Sequence, residues 1–296
     1  MRISGRLRND LAGWAFIAPN AIGFLAFTIL PVLFSLAASF TDWDYTQGLR
    51  SAKFNFGRNF LEIWSDKWFT DSLRNTAVFA FTVAPLTIII ALAVAVLVDR
   101  HAYAKKPIRL MLFMPYITNV VAISIVWVMM YAPFGPFTQL VKALGVANPP
   151  KWLGDYNWAL PAVILMSIWA SIGYAVMIYT AAIQGLPREL YEAAEIDGAG
   201  ELRKFFRITV PLLSPTTFFL VITNFISAFQ VFGQIMVMTR GGPGTSTHVL
   251  GYYIYTSAFS FYRMGYASSI AWILFLILLG ITIVQWRGQK RWVHSY

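Results

Sequence analysis

The sequence predicts an all-α, polytopic membrane protein with six transmembrane helices. Hydrophobic residues make up 58% of the 296 residues and charged residues only 12%, whereas soluble domains carry about 25% charged residues. The chain therefore has too little polar surface for a water-soluble globule of its length. The mean hydropathy of +0.60 agrees with this reading, and a lipid bilayer is the solvent that such a composition fits.

Six apolar stretches are each long enough to cross roughly 30 Å of hydrocarbon at ~1.5 Å per helical residue. They run from about 14–40, 76–98, 108–131, 158–184, 212–238 and 266–286. Arg109, at the edge of the third stretch, is the one charged residue among them. The first stretch follows basic residues, as the core of a signal peptide does. Its length, with Pro19 and Pro31 inside it, favours an uncleaved span.

The basic residues predict the orientation of the chain. Most of the 23 Lys and Arg residues fall in segments that are cytoplasmic if the N-terminus lies inside, and such an excess marks the cytoplasmic side. Both termini are therefore expected in the cytoplasm. The first external loop, about 41–75, is long enough for a short interfacial helix, and Trp43, Trp64 and Trp68 suit a membrane–water boundary.

Composition also excludes several kinds of site. The chain has no cysteine, so neither disulfides nor thiolate metal sites are possible. Its histidines, His101, His248 and His294, are scattered and are interpreted as ordinary loop residues, so no metal site and no catalytic group are expected. Anionic lipid, rather than nucleic acid, accounts for the net charge of +10.

The loop at 185–211 stands out because it combines helix signals with acidic charge. Pro187 suits a first helical turn, Ala193 and Ala194 favour helix, and Gly198 ends it. A second short helix is expected over 201–209, with two faces. Its apolar face would carry Leu202, Phe205, Phe206 and Thr209, and its basic face Arg203, Lys204 and Arg207.

This loop has two interpretations. It could be a solvated helical hairpin that only joins two spans. Its small residues and its acidic groups (Glu189, Glu192, Glu195 and Asp197) instead favour a protruding element that enters a cleft on a partner and pairs with basic residues there.

Polar residues recur at helical spacing inside two of the spans. In the fifth span Thr223, Ser227, Gln230 and Gln234 form one stripe, with Asn224 beside them, and in the fourth span the set is Ser167, Ser171 and Tyr174. Such residues often only join helices in membranes. The length of the fifth-span stripe and its amide groups favour a lining for a polar solute.

Two motifs resemble a known family. Glu192-Ala193-Ala194-x-x-x-Gly198, followed by Ile208-Thr209-Val210-Pro211, is similar to the EAA loop of binding-protein-dependent ABC importer permeases, where Val210 is usually Leu. Thr239-Arg240-Gly241-Gly242-Pro243 resembles the segment after the fifth span in the carbohydrate branch. The likeness covers most of residues 70–290.

The resemblance implies a single permease domain over 1–296, with a core at about 70–290 and a cytoplasmic coupling (EAA) helix between spans 4 and 5. Such a subunit forms half of a translocation pathway for sugars or oligosaccharides in a bacterial or archaeal inner or plasma membrane. The implied coupling residues are Glu192 as the anchoring carboxylate, Ala193, Ala194, Asp197, and Gly198 as the turn of close approach. The pathway candidates are Ser171, Tyr174, Thr223, Asn224, Ser227 and Gln230.

The implied partners are a second permease subunit, two copies of an ABC ATPase, an extracytoplasmic solute-binding protein and membrane lipid. The chain has no phosphate-binding loop of the Gly-x4-Gly-Lys-Ser/Thr type, so it is expected to be non-catalytic and to hold no cofactor, ATP and Mg being bound by the partner ATPase. At position 231 this chain has Val231, whereas the maltose permease subunit of the resembled family has a polar residue. This difference puts maltose itself in doubt as the solute. The alternatives are a permease for a non-sugar solute such as glycerol phosphate and a stand-alone secondary transporter.

Overall fold

The computed structural model of the protein describes residues 5–101 and 104–290. Both chain termini and His294 lie outside the described residues, and so does the side chain of His101. Within the described part every regular element is helical, and the bridge between Thr41 and Phe54 is an isolated pair. The predicted all-α class is confirmed.

The helices follow one another along the chain, and short loops separate most of them. In the described residues they are α1 (Gly5–Phe24), α2 (Leu30–Ser39), α3 (Arg58–Ser65), α4 (Lys67–His101), α5 (Lys105–Ile117), α6 (Val120–Tyr131), α7 (Pro136–Ala143), α8 (Ala159–Gln184), α9 (Arg188–Ile196), α10 (Glu201–Lys204), α11 (Val210–Leu212), α12 (Ser214–Phe229), α13 (Gly233–Met238), α14 (Leu250–Phe259) and α15 (Met264–Gln289). π-Helical turns at Leu25–Ile29 and Phe205–Thr209 join α1 to α2 and α10 to α11. The helix expected in the first external loop is present as α3.

Five helical segments of the described chain are long and apolar enough to cross a membrane, and a bent helix pair is a sixth if its two helices together form one span. They are Gly13–Ser39, Lys67–Asp99, Ala159–Gln184, Ser214–Met238 and Met264–Gln289. The second of these exceeds the predicted 76–98 at its N-terminal end, because its first turns are polar and hydropathy does not mark them. The sequence predicts six membrane-spanning helices, and the described structure supports five to six.

The third predicted span is wrong as a continuous helix. Its residues form α5 and α6, which meet at an angle of 99°. Thr118 has an extended backbone (φ −78°, ψ 145°), and the Asn119 side chain caps α6 by accepting a hydrogen bond from the Val121 amide at 2.8 Å. Asparagine is a favoured N-cap residue, so residues 118–119 end one helix and start another.

The described residues pack as two compact units. One comprises the described residues up to Ser65 together with Ile254–Ile273, and the other comprises Asp66–Tyr253 and the residues from Leu274 onward. The prediction of one permease domain over 1–296 stays a prediction.

The core of the larger unit lies where α4, α8 and α12 meet. One cluster of buried residues there comprises Ile88, Ala91, Ala95, Ala175, Val176, Tyr179, Leu213 and Leu220. Three of these are alanines, and small residues allow helix backbones to approach closely in membranes. The Tyr179 hydroxyl also donates a 3.0 Å hydrogen bond to Thr217. α8 and α12, the two helices that carry the polar pathway candidates, therefore both pack against α4.

Candidate functional site

The loop between α8 and α12 forms a helical hairpin of α9 and α10. Pro187 caps α9 with a fixed φ of −62°, and Glu189 lies in the first turn, where a carboxylate favours the positive end of the helix dipole. The α9 helix therefore begins at Arg188, directly after Pro187, as the sequence predicts.

The end of α9 is a Schellman turn. Gly198 has a φ of +70°, its amide donates to the Glu195 carbonyl at 3.0 Å, and the Ala199 amide donates to the Ala194 carbonyl at 2.8 Å. A Cβ on Gly198 would meet nothing within 4 Å of it in this chain. Within the chain, this glycine is therefore required for its left-handed backbone rather than for close approach.

The outer surface of the hairpin presents the predicted coupling residues together. Glu192, Ala193 and Asp197 are exposed and Ala194 is half-buried. Apolar side chains lie exposed among them, and Ile196 is 88% accessible. A surface with both carboxylates and an exposed isoleucine is suited to burial against a partner.

The inner side of the hairpin contains an ion cluster that the sequence interpretation missed. Lys204 is only 6% exposed, and its Nζ lies 2.8 Å from Glu195 Oε1 and 2.5 Å from Glu201 Oε1. The expectation that Lys204 lies on an open basic face is wrong, because the hairpin turns it toward these two carboxylates. The hydrogen bond and positive charge from Lys204 lower the pKa of Glu195.

A cavity of about 720 Å³ lies beside this cluster. It is bounded by the ends of α4 and α8, the start of α5, and the hairpin. Asp99 on its wall pairs at 3.3 Å with Arg109, which lies in the second turn of α5. In the described residues no cluster of His, Cys, Asp or Glu has the geometry to hold a metal ion.

The fourth-span candidates lie on the part of α8 that α5 approaches. Tyr174 stacks on Tyr116 with ring centroids 4.8 Å apart and an interplanar angle of 21°. Ser171 is half-buried nearby on the same helix. Tyr116 is 49% exposed, and the sequence interpretation missed it, although its place after Pro115 at the helix break was a usable signal.

The fifth-span candidates fall into two groups. The Thr223 hydroxyl and the Asn224 amide donate to carbonyls of their own helix, those of Phe219 at 3.0 Å and Leu220 at 2.8 Å. Ser227 and Gln230 are exposed.

The fifth span is broken after Phe229. Gln230 is the C-cap of α12, and α13 begins only at Gly233. The predicted stripe is therefore wrong beyond Gln230, because Gln234 belongs to a separate helix. Both halves of the span are apolar, and so hydropathy gave no sign of the break.

The Gly-Gly-Pro segment after α13 is fastened to the start of α4. Asn75 donates to the carbonyls of Thr245 and His248, and the Thr245 hydroxyl donates to Asp71 at 2.9 Å. His248 is 3% exposed, with Nδ1 3.0 Å from the Ser72 hydroxyl. His248 does lie in a loop, as interpreted, but it is not an ordinary loop residue, because the segment folds inward over α4 and buries it.

Burial of His248 makes the protein sensitive to acid. Desolvation lowers the pKa of His248 from 6.5 to about 4, although Asp71 and Asp66 act in the opposite direction. The unfolded chain therefore binds a proton that the folded chain does not between these two pH values, and stability falls as pH drops through that window.

His248→Asn keeps an acceptor near the Ser72 hydroxyl but cannot titrate. We expect its midpoint of thermal unfolding in detergent to depend less on pH than that of the wild type between 6.5 and about 4. If the unfolding midpoints of the two proteins change equally with pH, His248 does not have this role.

The family model described as "Binding-protein-dependent transport system inner membrane component" matches residues 85–288. The chain belongs to this family. It is an inner membrane component of a transport system, and the matched region contains the hairpin, the bent pair and the broken fifth span.

Curated relatives are similar in sequence to this inner membrane component over almost its whole length. The probable ABC transporter permease protein YesP of Bacillus subtilis (strain 168) is 33% identical, with 99% of this chain and 96% of the relative covered. The lactose transport system permease protein LacF of Rhizobium radiobacter is 32% identical, with 95% of each covered. A permease protein, UgpA, of the sn-glycerol-3-phosphate transport system of Agrobacterium fabrum (strain C58 / ATCC 33970) is 33% identical, with 97% of each covered.

The fold of this inner membrane component is also found in a solved structure. A chain of a bacterial ABC transporter involved in the import of the acidic polysaccharide alginate superposes with a TM-score of 0.82, at 22% identity and with 97% of each chain covered. The same overall fold is therefore found in a chain that has diverged widely in sequence.

Proposed function

We propose that this chain is the permease subunit of an ATP-driven importer for sugars or oligosaccharides. The α9–α10 hairpin carries the proposal. It presents Glu192, Ala193 and Asp197 on an exposed surface. The contact between the Tyr191 and Thr209 hydroxyls ties it to the segment that leads into the fifth span. The chain forms half of the pathway, with both termini and the hairpin in the cytoplasm.

The partners follow from this role. The hairpin docks into a cleft of an ABC ATPase, where Glu192 pairs with a basic residue, and the chain itself is non-catalytic. A second permease subunit supplies the other half of the pathway, and two ATPase copies drive the pair. A solute-binding protein delivers the sugar, as fits a structural neighbour described in complex with an alginate pentasaccharide-bound periplasmic protein.

The pathway favours an uncharged solute. α8 and α12 carry no Asp, Glu, Lys or Arg, whereas a phosphate is recognised through basic side chains. Hydroxyl, amide and aromatic groups at Ser171, Tyr174, Ser227 and Gln230 instead suit a polyol. Thr223 and Asn224 instead donate hydrogen bonds to carbonyls of α12 and support the backbone next to Ser227. Relatives named for lactose and for starch degradation products agree with a sugar. Glycerol phosphate, for which UgpA is named, is the second candidate.

Reconstitution tests this proposal. The chain is co-expressed with a second permease and an ATPase from the same genome, purified through a tag on this chain, and placed in proteoliposomes with the binding protein. We expect the ATPase to co-purify and its hydrolysis to rise with lactose or maltotriose more than with glycerol 3-phosphate. Uptake by the chain alone, without an ATPase, would overturn the proposal.

Tyr174 provides a test of the pathway in the same assay. Tyr174→Ala removes the ring that stacks on Tyr116, and we expect about a tenfold loss in kcat/KM for sugar-stimulated ATP hydrolysis. Tyr174→Phe should retain most of the activity. Met177→Ala is the control, because Met177 is exposed one turn away on the same helix. Equal losses in Tyr174→Ala and Met177→Ala would exclude a specific role for Tyr174.

A further inference from the structure

Lys204 is a buried cation with two carboxylate partners. Lysine is almost never fully buried unless it is paired, and Lys204 is 6% exposed between Glu195 and Glu201, both 64% exposed. The contact with Glu195 spans two elements, because Glu195 belongs to α9 and Lys204 ends α10. Lys204 therefore fastens the two arms of the hairpin to each other.

A second contact fastens α9 further along. The hydroxyls of Tyr191 and Thr209 lie 2.9 Å apart, and Thr209 is 2% exposed. Thr209 ends the π-helical turn that leads through α11 into α12. Together the two contacts form a clasp, which we define as Tyr191, Glu195, Glu201, Lys204 and Thr209.

The clasp acts on a helix whose flanking segments contain glycines. α9 is preceded by Gly185 and followed by Gly198 and Gly200, and glycine tolerates many backbone conformations. The cavity of about 720 Å³ beside Tyr191, Glu195 and Lys204 leaves this side of α9 without tight packing. A force on α9 would be absorbed at the glycines unless side chains carried it onward.

We propose that Lys204 is a positioning residue that makes α9 and the start of the fifth span move as one body. The inference rests on the proposed function, since an ATPase supplies the force on α9. Through the clasp, displacement of α9 reaches α12, which carries Ser227 and Gln230. Salt bridges between exposed groups contribute little to stability. Lys204 is buried, however, and this restricts the geometry of its contact with Glu195.

A distance measurement in the assembled complex tests the clasp. The chain has no cysteine, so Arg188→Cys on α9 and Phe219→Cys on α12, both at exposed positions, can carry a pair of spin labels in an otherwise unlabelled chain. With Lys204 intact, we expect one narrow distance distribution that is the same with and without MgATP. In Lys204→Met the distribution should lose its single narrow peak.

Matched variants separate the clasp from a general effect of charge. Arg203→Met removes a positive charge from an exposed neighbour and should keep the narrow peak, as should Lys204→Arg. Combining Lys204→Glu with Glu195→Lys should restore at least part of what each single change loses. A narrow peak in Lys204→Met would overturn the inference.

A second readout follows transmission of force. A single label on Phe219→Cys should respond to MgATP in the wild-type complex and lose that response in Lys204→Met, while ATP hydrolysis stays within about twofold of wild type. A retained response would also overturn the inference. Failure of the ATPase to co-purify with the wild-type chain would instead overturn the proposed function, so the two failures are distinguishable.

Discussion

Gly173→Ala should destabilise the folded protein strongly. A Cβ on Gly173 would lie 1.9 Å from the Leu112 carbonyl oxygen and 2.8 Å from the Phe113 Cα, and backbone atoms cannot be displaced without moving α5 away from α8. Overpacking of this kind typically costs 1–3 kcal/mol, and a clash with backbone should reach at least about 2 kcal/mol. Thermal unfolding in detergent measures the loss.

Gly280→Ala is the matched control for this change. Gly280 also lies inside a helix, but a Cβ there would meet nothing within 4 Å in the described structure, and alanine favours helix more than glycine does. Its unfolding midpoint should be unchanged or raised. Equal midpoints for the two variants would show that the α5–α8 crossing is not as close as described.

Glu192→Lys should abolish stable docking of the ATPase. The substitution reverses the charge of an exposed carboxylate that we propose to pair with a basic residue on the partner. Juxtaposed like charges cost several kcal/mol, so retention of the ATPase on the tagged chain should fall at least about tenfold. Quantitative co-purification, with the second permease as the internal reference, provides the measurement.

Glu189→Lys makes the same change of charge one turn earlier on α9. It should retain more of the ATPase than Glu192→Lys does, because the motif places the anchoring carboxylate at 192. If both variants keep wild-type amounts of ATPase and wild-type transport, Glu192 does not anchor the partner.

The sequence predicted the helical spans and the hairpin well because both depend on local signals. Charge-free apolar runs mark five spans, and an apolar run with one charged residue, Arg109, marks the bent pair. In the hairpin, the fixed φ of Pro187 suits a helix start, and Gly198 tolerates the left-handed backbone of the turn that ends the helix. These features are set within a few residues of where they are read.

The contacts that sequence reasoning missed form only when one segment of the chain folds back onto another. Lys204 looks like part of a basic face until the hairpin brings Glu195 to it. His248 looks exposed until its segment lies on Ser72, far away in the sequence. The helix breaks at Thr118 and Gln230 interrupt apolar runs, and hydropathy averages over such positions.

The interruption of the fifth span at 230–232 restricts how this helix can be rotated about its own axis in a bilayer. Peptide groups at helix ends lack intrahelical partners, and each one left bare in hydrocarbon costs several kcal/mol. The Val231 carbonyl lies close to Gly251, where a Cβ would come within 2.6 Å of its oxygen, so that side is covered by protein. The uncovered side bears the exposed Gln230 and must face water or another protein surface. We therefore expect the side of the fifth span that bears Gln230 to be turned away from the acyl chains.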